Sequence, residues 1–185
     1  MAVIHKSEIK ITNKELWELS GRIYAWLKSK GIDAEDVVMY NLPRGIELYA
    51  CILGTLRAGA AFVLTETNNN SKRTEFIKHD CNCKLYFNED CWKEIVNTDS
   101  LDGYEPINLH NLCYIAYTSG TTGSPKGVMH EYGSLENAWK SARYNGKPLF
   151  SNDDTFLVMS PMNFVSLPII MAFSCAFGNA IAIMP

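Results

Sequence analysis

Apolar side chains along this chain alternate between a helical spacing of three or four residues and short continuous runs. Leu16, Leu19, Ile23, Trp26 and Leu27 recur at helical spacing, which predicts an amphipathic helix. Thr12 and Glu15 precede that stripe as a capping box, and Gly31 supplies its stop. Before it, Val3 to Ile11 reads as two short strands around a turn. After it come an apolar run at Val37–Leu42, a helical stretch from Ile46 to Arg57 ending at Gly59, and a second run at Ala60–Leu64. Ser71 opens a further helix through Phe76, Ile77 and His79, and Lys84–Phe87 is a third strand. Strand–helix–strand–helix–strand order predicts an α/β fold, a mostly parallel sheet with helices on both faces and right-handed crossovers.

The second half continues the alternation. Residues 98–110 read as a connecting loop, Tyr114–Tyr117 as a strand entering a Gly/Ser/Thr-rich loop, and Val128–His130 as the strand leaving it. Leu135, Ala138, Trp139 and Ala142 suit a helix, and Phe156–Met159 a strand. Phe164 to Pro185 is apolar enough to raise a membrane span, but Pro168, Gly178 and Asn179 interrupt it and no basic cluster flanks it. A buried helix Ser166–Phe177 followed by a buried strand Ala180–Ile183 fits better. The chain then finishes on an apolar strand, which would leave an edge open to pairing. The expectation is a single, incomplete domain over residues 1–185, with more of it following.

Composition narrows the class further. With 47% apolar and 20% charged residues among 185, the chain can bury one good core, which excludes a wholly disordered protein. Net charge is −3 and the basic residues are scattered, so no nucleic-acid surface is expected and any anion site must be local. The start lacks the long apolar core of a signal peptide, so the cytoplasm is the default compartment. Among six cysteines, Cys51, Cys113 and Cys175 lie in apolar runs and are expected to be buried. Cys81, Cys83 and Cys91 have C-x-C-x7-C spacing, which lacks a fourth ligand and matches no zinc pattern. No metal site is expected there.

The chemistry lies in the loop Tyr117-Thr118-Ser119-Gly120-Thr121-Thr122-Gly123-Ser124-Pro125-Lys126-Gly127. Its glycines permit tight turns that bring N–H groups close to an anion. Thr118, Ser119, Thr121, Thr122 and Ser124 add hydroxyl donors, and Lys126 adds a point charge suited to phosphate. Together Thr118, Ser119, Gly120, Thr121, Thr122, Gly123, Ser124, Lys126 and Gly127 are the candidate binding residues for a polyphosphate tail. The string is not a Walker loop, because Pro125 precedes Lys126 and Gly127 follows it. The bland alternative is a polar hairpin between two strands.

In its order of residues the loop resembles the phosphate loop of the adenylate-forming superfamily: acyl-CoA synthetases, luciferases and the adenylation domains of nonribosomal peptide synthetases. Ile11-Thr12-Asn13-Lys14-Glu15-Leu16 resembles that family's first core motif, and Leu56-Arg57-Ala58-Gly59-Ala60-Ala61-Phe62-Val63 resembles the second, typical of amino-acid-activating domains. The resemblance implies attack of a carboxylate on the α-phosphate of ATP with Mg2+ present. An acyl-adenylate and pyrophosphate result, and the acyl group then passes to a phosphopantetheine or CoA thiol. The loop would hold the β- and γ-phosphates, a role of electrostatics and positioning. No residue of this chain is assigned as catalytic, since the catalytic lysine and mobile lid of such enzymes have no counterpart here.

Two positions depart from the pattern. In amino-acid-activating relatives an Asp pairs with the substrate ammonium; the matching stretch here is Phe164-Val165-Ser166-Leu167, with Val165 at the Asp position and Asn163 nearby. Valine cannot neutralise a buried ammonium, so Asn163, Phe164 and Val165 as substrate-pocket residues point to an aryl, hydroxy, β-amino or fatty acid. Tyr132 stands where many relatives have His, and either touches substrate or simply packs. The function expected is a fragment of a carboxylate-activating ligase of the peptide-synthetase type, inactive alone. An acyl-CoA synthetase fragment and a non-catalytic nucleotide-binding remnant are the alternatives.

Overall fold

A computed structural model of the chain describes residues 2–5, 9–65, 67, 71–119, 124–160 and 166–183. Two mostly parallel sheets form its frame. The first takes strands β3 (Val37–Tyr40), β4 (Ala61–Leu64), β5 (Leu85–Phe87), β6 (Leu112–Ser119) and β7 (Pro125–Glu131) in the order β5-β3-β4-β6-β7. Its first four strands run parallel, and β7 returns antiparallel along the edge. The second sheet has the order β10-β11-β1-β2, from β1 (Ala2–His5), β2 (Ile9–Thr12), β10 (Thr155–Val158) and β11 (Ala180–Ile183). Here β1 is parallel to β11 and antiparallel to β2.

The first helix, α1 (Asn13–Ser29), starts as expected: the Glu15 backbone N–H donates to Thr12 Oγ1 at 3.2 Å, and the Thr12 N–H donates to Glu15 Oε2 at 2.8 Å. Glycines in the left-handed region end α1 and α2 (Ile46–Arg57), at Gly31 with φ 71° and Gly59 with φ 68°. Helix α3 is Ser71–Asp80; α5 is Tyr132–Ser141; α6 is Ser166–Phe177, joining β10 to β11. Two features were not anticipated. A 3-10 turn at Glu89–Cys91 runs into the short helix α4 (Trp92–Ile95), and a two-stranded ribbon pairs β8 (Arg143–Tyr144) with β9 (Lys147–Pro148).

Both faces of the first sheet are covered, so its parallel strands read as unbroken apolar runs rather than alternating ones. Val38, Tyr40, Phe62, Leu64, Phe87 and Tyr114 face the main core with α1 and α2. Val37, Met39, Ala61, Val63, Ile115 and Tyr117 pack instead against Ile77 and Cys81 at α3. Val158, Ile181 and Ile183 of the second sheet join the main core together with Leu167 and Met171 of α6.

Arg57, inside the second core motif, is 3% exposed and closes the long loop onto the helices. Its guanidinium donates to the carbonyls of Gly103 (2.8 Å), Leu101 (2.7 Å) and Trp17 (2.7 Å) and to Ser20 Oγ (2.9 Å), and it lies 3.7 Å from the Trp17 ring centroid. A buried cation is tolerable because four acceptors replace its water.

Candidate active site

The candidate phosphate loop joins β6 to β7. These strands pair in one register: Tyr117 opposite Gly127, Thr118 opposite Lys126, Ser119 opposite Pro125. The hairpin thus roots the loop at the C-terminal end of β6, beyond the C-terminal ends of the parallel strands, where open α/β sheets hold ligands. Thr118, Ser124, Lys126 and Gly127 are exposed. Thr118 Oγ1 lies 3.5 Å from the Lys126 carbonyl, the outer limit of a hydrogen bond. Gly120, Thr121, Thr122 and Gly123, and likewise Asn163, Phe164 and Val165, lie outside the described residues.

Tyr117 fixes the root. Its side chain is 5% exposed, and its hydroxyl donates to Asp80 Oδ2 at 2.6 Å. Burial, then the bond to Asp80, pushes the phenol far above its ordinary pKa, so it stays a neutral donor. The ring covers Gly127. A Cβ at Gly127 would meet Tyr117 Cζ at 2.9 Å, Ile115 Cγ2 at 3.0 Å and the Tyr117 oxygen at 3.1 Å. The tyrosine that opens the motif and the glycine that closes it are therefore one cross-strand contact, and only a residue without a side chain fits. Asp80 escaped sequence reading. Its one signal was an acid in the last turn of a helix, where the dipole disfavours negative charge unless a partner is present.

Further along β7, His130 stacks on Tyr114 with centroids 4.3 Å apart and rings 7° from parallel, and Tyr114 stacks on Phe62 at 5.5 Å. Burial in this stack lowers the His130 pKa. Tyr132 packs: it is 7% exposed and its hydroxyl donates to the Ala60 carbonyl at 2.8 Å. It begins α5 at the end of β7 opposite Leu112, away from the phosphate loop.

A groove of about 570 Å3 opens at that far end between α2, α5 and α6, lined by Leu53, Leu56, Tyr132, Trp139, Met171 and Cys175 among others. Cys175 is consequently exposed, contrary to its expected burial, because this groove and not the core receives its face of α6. Cys51 and Cys113 are buried as expected. Among the described residues, no group of three His, Cys, Asp or Glu side chains is arranged to hold a metal ion, and no helix is long and apolar enough to cross a membrane.

Comparison with known proteins agrees with this arrangement. Zwittermicin A synthase ZmaJ of Bacillus cereus is 35% identical over 182 residues, covering 89% of this chain and 34% of its own length. Surfactin synthase subunit 1 of Bacillus subtilis is 30% identical over 189 residues, covering 95% of this chain and 5% of its own. The chain therefore spans about a third or less of these relatives. Among solved structures, the N-terminal subdomain of Klebsiella oxytoca NpsA in complex with 3-hydroxyanthranilyl-AMSN superposes with a TM-score of 0.84 at 22% identity, over 100% of this chain and 49% of that one. The family described as AMP-binding enzyme matches residues 1–185 throughout, and the chain belongs to that family.

Proposed function

We propose that residues 1–185 form the N-terminal portion of an adenylate-forming domain, and that the loop from Thr118 to Gly127 holds the β- and γ-phosphates of ATP. The complete domain would activate a carboxylic acid as its acyl-adenylate and pass the acyl group to a carrier-protein phosphopantetheine or a CoA thiol. The observation that carries this reading is the unbroken loop sequence on a hairpin whose root is fixed by the Tyr117–Gly127 contact. Exposed Lys126 stands in register with Thr118 at its mouth.

The chemistry required of these residues is modest. Backbone N–H groups of the glycines, the hydroxyls and the Lys126 ammonium neutralise charge on departing pyrophosphate, and none forms a covalent bond to substrate. Mg2+ would arrive with the nucleotide and shield the same oxygens. Thr118 and Lys126, paired across the hairpin, are held in register before charge develops, which is where an electrostatic site gains over water. For the acid, Val165 at the ammonium-pairing position favours an aryl, hydroxy, β-amino or fatty acid over an ordinary α-amino acid.

The test is carboxylate-dependent ATP–pyrophosphate exchange by a protein containing these residues within a complete domain, across amino, aryl, hydroxy, β-amino and fatty acids. Lys126→Ala should lower kcat/KM roughly tenfold to a hundredfold, the loss of one charge-assisted phosphate contact. Undiminished turnover in that variant would remove the loop from the mechanism. Exchange confined to ordinary α-amino acids would refute the substrate reading while leaving the loop assignment intact. Residues 1–185 by themselves are expected to give no exchange.

A further inference from the structure

Directly after Asp80, at the N-terminal end of β5, Cys81-Asn82-Cys83 connects α3 to β5. Three backbone bonds close the turn: Cys81 N–H to the Ile77 carbonyl (2.9 Å), Asn82 N–H to His79 (3.2 Å) and Cys83 N–H to Lys78 (3.0 Å). Asn82 lies in the left-handed region with φ 49°. That detail matters for the sulfurs. Residues two apart in extended chain sit about 7 Å apart, just outside the roughly 4.4–6.8 Å that a disulfide spans between Cα atoms. A left-handed central residue folds the three-residue unit and shortens the span. Both side chains turn toward one cavity, with the Cys81 thiol 3.8 Å from the Lys78 carbonyl and the Cys83 thiol 3.1 Å from the Leu85 carbonyl.

The surroundings grade the pair. Cys81 is 7% exposed and packs beneath Ile77, whereas Cys83 is half-buried. Both border a cavity of about 340 Å3 at the N-terminal ends of β3 and β5, lined by Glu35, Asp36, Val37, Asn82 and Lys84 as well. Attack on a soluble molecule is thus open to Cys83 first, with Cys81 waiting behind it. The neighbouring Cys81 thiol holds the Cys83 thiol below its ordinary pKa, backbone hydrogen bonding at Met39 and Leu85 and the Lys78 charge adding to it. Cys83 and burial push Cys81 the other way, in keeping with attack by the outer sulfur.

From this geometry we infer that Cys81 and Cys83 form a redox-active dithiol, in which Cys83 attacks low-molecular-weight disulfides and Cys81 resolves the adduct to an intramolecular disulfide. In the first step the Cys83 thiolate attacks one sulfur of a disulfide RSSR. A Cys83–SR bond forms, the S–S bond of RSSR breaks, and RS− leaves and takes up a proton. Capping removes the charge that opposed ionisation of Cys81. Cys81 then loses its proton, attacks Cys83 Sγ and expels the second RS−, which is protonated in turn. Two protein thiols are oxidised, and one RSSR is reduced to two RSH.

The experiment treats the whole 185-residue chain with oxidised glutathione, then maps it by tryptic mass spectrometry without reductant after alkylation. Cleavage after Lys78 and Lys84 isolates His79–Lys84 with both sulfurs. The expected product is that peptide, lighter by two hydrogens and unalkylated. The same treatment of the chain unfolded in urea serves as the reference for reactivity of the oxidant. Recovery of His79–Lys84 with both thiols alkylated from the folded chain, while the unfolded chain is oxidised, would overturn the inference. So would stable glutathione on Cys83 of the unsubstituted chain. In Cys81→Ser the mixed disulfide at Cys83 should persist, and it should form about tenfold faster than any adduct at Cys81 in Cys83→Ser. Equal rates would overturn the assigned order of attack.

Discussion

Gly127→Ala tests whether the two ends of the phosphate-loop motif are coupled as described. Alone, the change should help, since glycine inside a strand costs about 0.5–1 kcal/mol relative to alanine. Here the new Cβ would sit 2.9 Å and 3.1 Å from Tyr117 atoms and 3.0 Å from Ile115 Cγ2, so the ring must move. Overpacking of that kind costs about 1–3 kcal/mol, and displacing the ring also strains the 2.6 Å bond to Asp80. The net expectation is destabilisation by about 1–2 kcal/mol. Urea unfolding followed by tryptophan fluorescence measures it, and a cycle with Tyr117→Ala isolates the cause. With the ring gone, two of those three close contacts disappear, and the cost of Gly127→Ala should fall by at least about 1 kcal/mol. An equal cost in both backgrounds, or a neutral Gly127→Ala in the unsubstituted chain, would show that the ring does not dictate the glycine.

Two other perturbations probe the frame around the site. Arg57→Met keeps length and removes the guanidinium, stranding three carbonyls and Ser20 Oγ; a loss of about 3–5 kcal/mol is expected in urea unfolding. Arg57→Lys should recover only part of it, because an ammonium cannot reach four divergent acceptors. His130 gives a pH signature. Its pKa is lowered from 6.5 by burial, so below that value the unfolded chain binds the proton more readily, and the stability due to neutral His130 declines as pH falls. Urea midpoints should drop as pH falls below about 6.5, and His130→Phe should flatten that slope; an unchanged slope would contradict the shift.

Local order was legible where one residue's chemistry decided it. The Thr12–Glu15 box, the helix Ser166–Phe177 and the strand Ala180–Ile183 are all readable in the sequence, because capping, glycine stops and apolar runs act over a few residues. Partnership was not. Nothing within Val3–Ile11 announces that β1 lies beside β11, so one expected sheet proved to be two. The β8–β9 ribbon did carry a signal: Asn145-Gly146, with φ 50° and 76°, is a strong two-residue hairpin turn. Glu89–Ile95 is too short for any periodicity, and its helical turns are held from outside, by Trp26 and Lys30 on Glu94. At the site, the loop's chemistry was legible from residue types alone. The Asp80 anchor was not, because it depends on where α3 crosses the sheet.

The pairing of Val3 with Ile181 sets an order of events during synthesis. The first sheet draws only on residues from Val37 to Glu131, so it can assemble while later strands are still being made. The β1–β2 hairpin has no sheet to join until β11 emerges, some 52 residues after Glu131 (183 − 131). At about 5–20 residues per second, that wait is roughly 3–10 s. Throughout it, the edge of β1 that will receive β11 stays open although β2 covers the other, a stretch on which a chaperone would act.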